Sequence, residues 1–161
     1  MLGVYKSEIL EDMSLRAVVT RVSSASVTID GAVSGAIDNG FLILLGIKNG
    51  DTETEAKKLA AKICNLRVFS DNDGKMNLDL VASGGSILVI SQFTLYADCK
   101  SRRPGFTEAA RPDTAIPLYE LFIRECKALG HTVETGEFGA MMDVASVNDG
   151  PVTILFDTET M

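Results

Sequence analysis

Several residue types are scarce in this sequence, and each shortage narrows the possible chemistry. There is no tryptophan, and His131 is the only histidine, so any histidine-activated nucleophile would have to use it. Cys64, Cys99 and Cys126 are odd in number and show no C-x-x-C spacing. This pattern favours free thiols in a reducing cytoplasm over a disulfide framework or a zinc site. We therefore expect a cytoplasmic protein that holds neither a metal nor another cofactor.

Long apolar runs are also missing. The longest, residues 41–47, is far too short to cross a membrane. Residues 1–14 carry four charged side chains and no apolar segment, so we expect an N-terminal extension that is not a secretory signal and has no assignable role. Strand-like sequence starts at Leu15, and the remaining length suits one domain over residues 15–161.

Lysine and arginine are also scarce in this sequence. With 15 Lys and Arg against 22 Asp and Glu, the net charge is −7, which disfavours non-specific binding of nucleic acid. The one basic cluster is Lys100, Arg102 and Arg103, with Arg111 nearby. Arginine forks match phosphate geometry, but a solvated charged loop is the simpler interpretation of the cluster by itself.

The apolar periodicity predicts an α+β domain in which strands dominate. Residues 15–30 are interpreted as two strands. The hairpin turn at Asp30-Gly31 leads into a third, AVSGAI at residues 32–37, and a doubly buried strand follows at residues 40–47. The capping box of Thr52 and Glu55 predicts a helix to about Arg67.

A second helix is predicted over residues 114–129, with Asp113 as its N-cap. Strands are then expected near residues 132–135, 139–147 and 152–157. The predicted order is β-β-β-β-α-β-α-β-β-β, with mostly antiparallel sheets and the two helices packed on one side.

Between the two helices a buried strand is predicted at Ile87 to Ile90, and polar residues follow it in the stretch SQFTLYAD, residues 91–98. Ser91, Gln92 and Thr94 alternate with Phe93 there. Such side chains either form a functional site or simply satisfy the backbone at a strand end, and the pattern favours neither. The stretch GEFGAMMD, residues 136–143, adds a second group, Phe138, Met141 and Met142, which suits either a core or an adaptable pocket wall.

The stretch VNDGPVT, residues 147–153, places Asn148, Asp149, Gly150 and Pro151 in succession. One interpretation is a tight reversal, because these residue types favour turns. The other is a backbone device that presents carbonyl groups to a ligand.

Taken together, these stretches resemble the D-aminoacyl-tRNA deacylase family. The resemblance rests on SQFTLYAD, the basic RPGF, TGEFGAMMDV and VNDGPVT, and also on LRAVVTRVSSASVTIDGAVSGAI and RVFSDNDGKMNLDL, so it spans residues 15–157. It implies a homodimer with active sites at the interface. Members hydrolyse the ester that joins a D-amino acid to the 3′ end of tRNA, or glycine mischarged on tRNA-Ala.

The resemblance also implies roles for particular residues. Ser91, Gln92, Phe93 and Thr94 would form one wall, with Phe138, Met141 and Met142 also binding substrate. Gly150 and Pro151, joined by a cis bond, would enter from the partner subunit and exclude L-amino acids. Lys100, Arg102 and Arg103 would contact RNA. This chain departs from the family in having no glycine before Arg-Pro in the basic loop, and in having Gly105 where serine is common.

For the chemistry, the resemblance implies that the ribose 2′-OH assists while backbone N–H groups from Gln92 to Thr94 stabilise the oxyanion. Thr94 is the alternative nucleophile, although no base is suggested for it by spacing. Two other functions stay open: a hydrolase of small esters or amides that uses Thr94 or Ser91, and a dimeric binding module in which the strand-end polar residues are structural.

Overall fold

The computed structural model describes residues 14–161, which form eight strands and three helices. The strands are β1 (Arg16–Ile29), β2 (Ala32–Ile37), β3 (Gly40–Gly46), β4 (Phe69–Ser70), β5 (Met76–Leu78), β6 (Ser86–Ser91), β7 (Val133–Thr135) and β8 (Asp143–Asp157). The helices are α1 (Glu53–Cys64), α2 (Leu80–Ser83) and α3 (Pro112–Ala128). The predicted extension, residues 1–14, lies outside the described residues except for Ser14, which is buried.

The sequence predicted mostly antiparallel sheets, and the main sheet is mixed, with three antiparallel pairs of strands and two parallel ones. Its strands lie in the order β2-β1-β3-β6-β7, and β8 pairs with the long β1. β1 is antiparallel to β2, β3 and β8, but the β3–β6 and β6–β7 pairs are parallel. The parallel pairs arise because helix-containing connections bring the chain back to the same end of the sheet. β4 and β5 form a separate hairpin.

The predicted order of elements is wrong at both ends of the domain. Residues 16–29 form one strand rather than two. Residues 143–157 form the single strand β8 where two strands were predicted, although its residues 149–152 form a bulge opposite Thr20 to Val22 of β1. β1 remains continuous because it pairs with β3 over its first half, with β2 over its second half, and with β8 along its other edge. β8 is an edge strand, so Pro151 can lie within it without costing the sheet a hydrogen bond.

The helices also differ in detail from the prediction. α1 begins with the expected capping box, in which the Thr52 amide donates to a Glu55 carboxylate oxygen at 2.8 Å, but it ends at Cys64. α3 begins at Pro112, with Arg111 rather than Asp113 as N-cap, because proline suits the first helical position. The short helix α2 and the β4–β5 hairpin were not predicted.

Apolar side chains pack on both faces of the main sheet. One core lies against α1 and α3 and includes Phe41 and Ile43; the other lies on the opposite face and includes Leu42 and Leu88. β3 is therefore buried on both faces, as predicted. No helix within residues 14–161 combines the length and apolar character needed to cross a bilayer.

The sheet curls around the second core, so that β2 approaches β7. The Ser34 hydroxyl donates to the Thr135 carbonyl at 3.2 Å. Gly35 allows the approach, since a Cβ atom there would lie 2.9 Å from the same carbonyl oxygen. This curvature leaves the C-terminal end of β6 open beside the segment that joins β7 to β8.

Candidate active site

β6 ends in a 3₁₀ turn, Phe93–Tyr96, that presents backbone amides at the end of the sheet. The Gln92 amide donates to the Leu45 carbonyl at 2.8 Å, which ties the turn to β3. Within the turn, the Leu95 amide donates to the Gln92 carbonyl at 3.2 Å. The first amides of a helical turn have no acceptor inside it, and Phe93 and Thr94 hold these positions. The turn can therefore offer two N–H groups to a ligand.

The turn forms one wall of a cleft of about 450 Å³. Seven predicted site residues line it: Ser91, Gln92, Phe93, Thr94, Phe138, Met141 and Met142. The rest of the lining is apolar or glycine: Leu45, Ile47, Ile90, Ala110, Ala115, Gly139, Ala140 and Val144. The two predicted groups meet because residues 136–143 follow β7, which pairs directly with β6. Ala110 and Ala115 were not predicted, since alanines near a helix start carry no functional signal.

Within residues 14–161, the cleft lining supplies no acid or base. Among the described residues, those that line it include no His, Cys, Lys, Arg, Asp or Glu. The Thr94 hydroxyl accepts a hydrogen bond from the Gln92 side-chain amide. An amide cannot remove a proton, so the position of Thr94 is not that of an activated nucleophile.

Two aromatic pairs hold the walls of the cleft. Phe93 meets Phe106 edge to face, with ring centroids 5.1 Å apart, and Phe138 meets Tyr119 at 5.9 Å. The Tyr119 hydroxyl donates to the Val89 carbonyl at 3.1 Å, and burial raises the pKa of Tyr119 to about 12. Tyr119 is thus a neutral support behind Phe138. Phe106 was missed as a site residue, although it ends the quoted RPGF motif.

The two methionines differ in their surroundings. Met141 is 92% exposed, whereas Met142 is half-buried and packs against the second core. Gly136 leaves room for Met142, because a Cβ at Gly136 would lie 2.5 Å from the methionine sulfur. Met142 is therefore a fixed part of the cleft, and Met141 projects from its rim.

The segment containing Gly150 and Pro151 lies apart from this cleft. Their peptide bond is cis, as predicted, and both residues are exposed on β8. Within residues 14–161, the lining of the cleft includes neither of them. Gly150 has φ +133°, and a Cβ there would lie 2.9 Å from a Val152 methyl carbon.

Arg21, a residue that the sequence analysis did not select, anchors this segment. Its buried side chain donates from Nε to the Asp149 carbonyl at 3.0 Å, and the same nitrogen lies 3.3 Å from the Asp149 carboxylate. A second guanidinium nitrogen donates to the Val68 carbonyl. Arg21 could have been selected from the sequence because it is a charged residue within the apolar sequence of β1.

Lys100, Arg102 and Arg103 are exposed on one loop. Asp98 and Gly105 close the loop with two backbone hydrogen bonds of 2.8 and 2.9 Å. The next residue after Gly105 is Phe106, which contacts Phe93 at the cleft. The basic side chains therefore lie on a loop anchored beside the cleft.

His131 lies outside the cleft lining. Its amide donates to the Cys126 carbonyl just after α3, and burial lowers the pKa of the imidazole. His131 therefore lies at the end of a helix and is buried. Cys64, Cys99 and Cys126 are free thiols. In the described part of the chain, no cluster of three or more His, Cys, Asp or Glu is suited to hold a metal ion.

Sequence comparison finds similarity along almost the whole described domain. A family profile, D-Tyr-tRNA(Tyr) deacylase, matches residues 18–157. A D-aminoacyl-tRNA deacylase from Roseiflexus castenholzii is 59% identical over 145 residues, covering 89% of this chain and 92% of that protein. One from Thermus aquaticus is 57% identical over 145 residues, covering 89% and 95%.

Two solved structures are similar to this chain in fold. The c-Myc DNA Unwinding Element Binding Protein is 40% identical, with a TM-score of 0.83 over 88% of this chain and 97% of that one. A probable eukaryotic D-amino acid tRNA deacylase has a TM-score of 0.77, covering 90% of this chain and 100% of that one. Its 14% identity supports a likeness of fold alone.

Proposed function

This chain belongs to the D-Tyr-tRNA(Tyr) deacylase family and is a D-aminoacyl-tRNA deacylase, an ester hydrolase; from that premise we propose how its cleft selects and cleaves the substrate. The family and the activity that the sequence motifs implied are thereby confirmed. The proposal concerns the roles of individual residues, the assembly and the range of substrates.

The observation that carries the proposal is a cleft whose wall holds the first two amides of the 3₁₀ turn and whose lining, within residues 14–161, includes no general base. The ester carbonyl binds with its oxygen toward the amides of Phe93 and Thr94. Water adds to the carbonyl carbon, and the ribose 2′-OH relays the proton that water loses. The amides stabilise the oxyanion that forms. The bond to the ribose 3′ oxygen then breaks, that oxygen takes a proton, and the free D-amino acid and tRNA leave.

Selection against L-amino acids is assigned to Gly150 and Pro151 of the partner subunit. Their carbonyls accept hydrogen bonds from the substrate's α-ammonium group. The backbone then lies against the Cα of the substrate, where a hydrogen fits and an L side chain clashes. Two observations support this role. Gly150 and Pro151 are exposed, and the Arg21 Nε donates to the carbonyl of the preceding residue, Asp149, at 3.0 Å. Glycine has no side chain to exclude, so glycyl-tRNA, including glycine on tRNA-Ala, is also a substrate.

The gate requires a second copy of the chain. Large apolar side chains lie exposed at the cleft rim and along β8: Phe93, Met141, Val144, Val147 and Leu155. Exposed apolar side chains grouped in this way are typical of an interface. A two-fold assembly would cover them and bring each Gly150 to the cleft of the other subunit.

The basic loop is proposed to bind tRNA. Lys100, Arg102 and Arg103 project from a loop whose base contacts the cleft wall, so they can reach phosphates near the 3′ end while the ester lies inside. This local patch would offset the acidic net charge of −7. Aminoacyl-tRNA is used in translation, so we place the enzyme in the cytoplasm.

Four substrates test the proposal: D-Tyr-tRNA, L-Tyr-tRNA, glycyl-tRNA(Ala) and D-tyrosine methyl ester. We expect hydrolysis of D-Tyr-tRNA and glycyl-tRNA(Ala) only, measured as loss of acid-precipitable label. Cleavage of the methyl ester would favour the small-ester hydrolase, because that substrate has no 2′-OH and no RNA. No cleavage of any substrate by a folded dimer would favour the binding module.

A further inference from the structure

The back of the 3₁₀ turn, away from the cleft, is held by a polar cluster that the proposed chemistry does not use. We call it the rear cluster; it consists of Ser14, Arg16, Tyr96 and Asp157. The cluster joins the start of β1, the end of β8 and the last residue of the turn. These three pieces are far apart in sequence and meet only in the folded domain.

Arg16 makes three contacts in the rear cluster. One guanidinium nitrogen, Nη1, donates to the Leu95 carbonyl at 3.0 Å. Nε donates to the Asp157 carboxylate at 2.9 Å. The guanidinium carbon lies 4.6 Å from the centre of the Tyr96 ring, which is a cation–π distance. Arg16 therefore contacts both of the last two residues of the turn.

The other members keep Arg16 and Tyr96 in place. The Ser14 hydroxyl donates to the second oxygen of Asp157 at 2.8 Å and lies 3.3 Å from the Tyr96 hydroxyl. Burial raises the pKa of Tyr96, so this hydroxyl stays protonated. Asp157 also holds the pKa of Arg16 above its usual value. The cluster thus keeps a charged arginine against the turn at all ordinary pH values.

The stability that Arg16 contributes is small, because its side chain is 43% exposed and partly exposed ion pairs contribute little. Its geometric effect is larger. Leu95 is linked to the start of the same short turn, because its amide donates to the Gln92 carbonyl at 3.2 Å, so a shift of Leu95 would be passed to the amides of Phe93 and Thr94. Catalysis depends on amide placement much more steeply than folding does, and a displacement of about 1 Å can cost roughly 100-fold in rate.

We propose that Arg16 is a positioning residue, which holds the Leu95 carbonyl so that the Phe93 and Thr94 amides point at the ester oxygen. The inference rests on the proposed role of those amides. Arg16 itself touches no reacting atom.

The test compares Arg16→Gln with the wild-type enzyme on D-Tyr-tRNA. We expect kcat to fall about 10- to 100-fold while KM stays within about twofold, because the direction of the Phe93 and Thr94 amides changes and the surface that binds the substrate does not. Arg16→Lys should recover part of the loss, since an ammonium group can reach the Leu95 carbonyl but cannot also form the guanidinium contacts. A kcat within threefold of wild type in Arg16→Gln would overturn the proposal, as would loss of the dimer in proportion to the loss of rate.

Arg67→Gln is the matched control. Arg67 also donates from Nε to a backbone carbonyl, that of Asn77 at 2.8 Å, but it does so at the β4–β5 hairpin. Its removal should leave kcat unchanged. An equal fall of kcat in both variants would show a general effect of losing an arginine and would reject a specific role for Arg16.

A second measurement needs no substrate and so separates this inference from the proposed function. In ¹⁵N-labelled protein, the amide signals of Phe93 and Thr94 should shift in Arg16→Gln, whereas those of α1 should not. Unchanged Phe93 and Thr94 signals would overturn the positioning role even if the wild-type enzyme were active. Shifted signals together with an inactive wild-type enzyme would instead contradict the proposed function.

Discussion

At the residue scale, the surroundings of Thr94 in the cleft limit the chemical role that its hydroxyl can have. Its hydroxyl accepts from the Gln92 amide, and the cleft lining within residues 14–161 holds no base to activate it. We therefore predict that Thr94→Ala keeps kcat for D-Tyr-tRNA within about tenfold of wild type, because removal of a true nucleophile costs several orders of magnitude. Single-turnover deacylation measures this.

The control for Thr94→Ala is Thr107→Ala, which removes an exposed threonine hydroxyl outside the cleft lining. That variant should match wild type. If Thr94→Ala abolished deacylation while the protein stayed folded and still bound tRNA, Thr94 would regain the nucleophile role.

Gly150 is the second residue whose substitution separates alternatives. An alanine there would be strained at φ +133°, and its Cβ would lie 3.0 Å from the Arg21 guanidinium. We predict that Gly150→Ala lowers deacylation of D-Tyr-tRNA at least tenfold. The dimer should stay folded, since a strained backbone conformation at one residue costs only about 1–3 kcal/mol of stability. Deacylation rates and thermal unfolding measure the two effects.

Gly74→Ala provides the matched control for Gly150. Gly74 also has a positive φ, +75°, but a Cβ there would have nothing within 4 Å. It should lower stability modestly and leave the rate unchanged. Equal rates in Gly150→Ala and wild type would remove Gly150 from the substrate site.

At the scale of elements, the basic loop tests whether charge on one segment serves tRNA binding. Replacing Lys100, Arg102 and Arg103 together with alanine should raise KM and leave kcat within about twofold. The salt dependence of KM should also flatten, by roughly one unit of logarithmic slope for each phosphate that the loop no longer neutralises. KM measured over a series of salt concentrations provides the check.

A triple alanine variant of Lys57, Lys62 and Lys75 makes the same change in net charge on other exposed positions. It should leave the slope nearly unchanged. If both triple variants behaved alike, the basic loop would be an ordinary solvated loop with no role in tRNA binding.

At the scale of the whole molecule, the exposed apolar side chains of β8 predict a homodimer. Leu155 is 78% exposed, which is costly for a residue that gains about 1.5–3 kcal/mol on full burial. We predict that Leu155→Glu yields monomers in light scattering and loses deacylase activity, because the gate is proposed to come from the other subunit.

Val81→Glu serves as the control, since Val81 is 67% exposed but lies on α2. It should remain dimeric and active. An active monomer, from either wild type or Leu155→Glu, would contradict a site shared between subunits.

Features that depend on neighbours a few residues apart could be predicted from the sequence alone. The Asp30-Gly31 turn, the Thr52–Glu55 capping box and the double burial of β3 all follow from local backbone preference and apolar pattern. The motif residues of the cleft were also recognised, although only the family resemblance joined residues 91–94 to residues 138–142 into one site.

Features that depend on distant partners became visible only in the folded domain. β1 and β8 pair with each other across more than a hundred residues, and the turn-favouring residues 149–152 are accommodated as a bulge between the Thr20–Thr153 and Val22–Asn148 pairs. The same long-range packing brings Arg21 to Asp149 and Arg16 to Leu95. Contacts of this kind leave no periodic signal in a single sequence, because each depends on where the sheet carries the other residue.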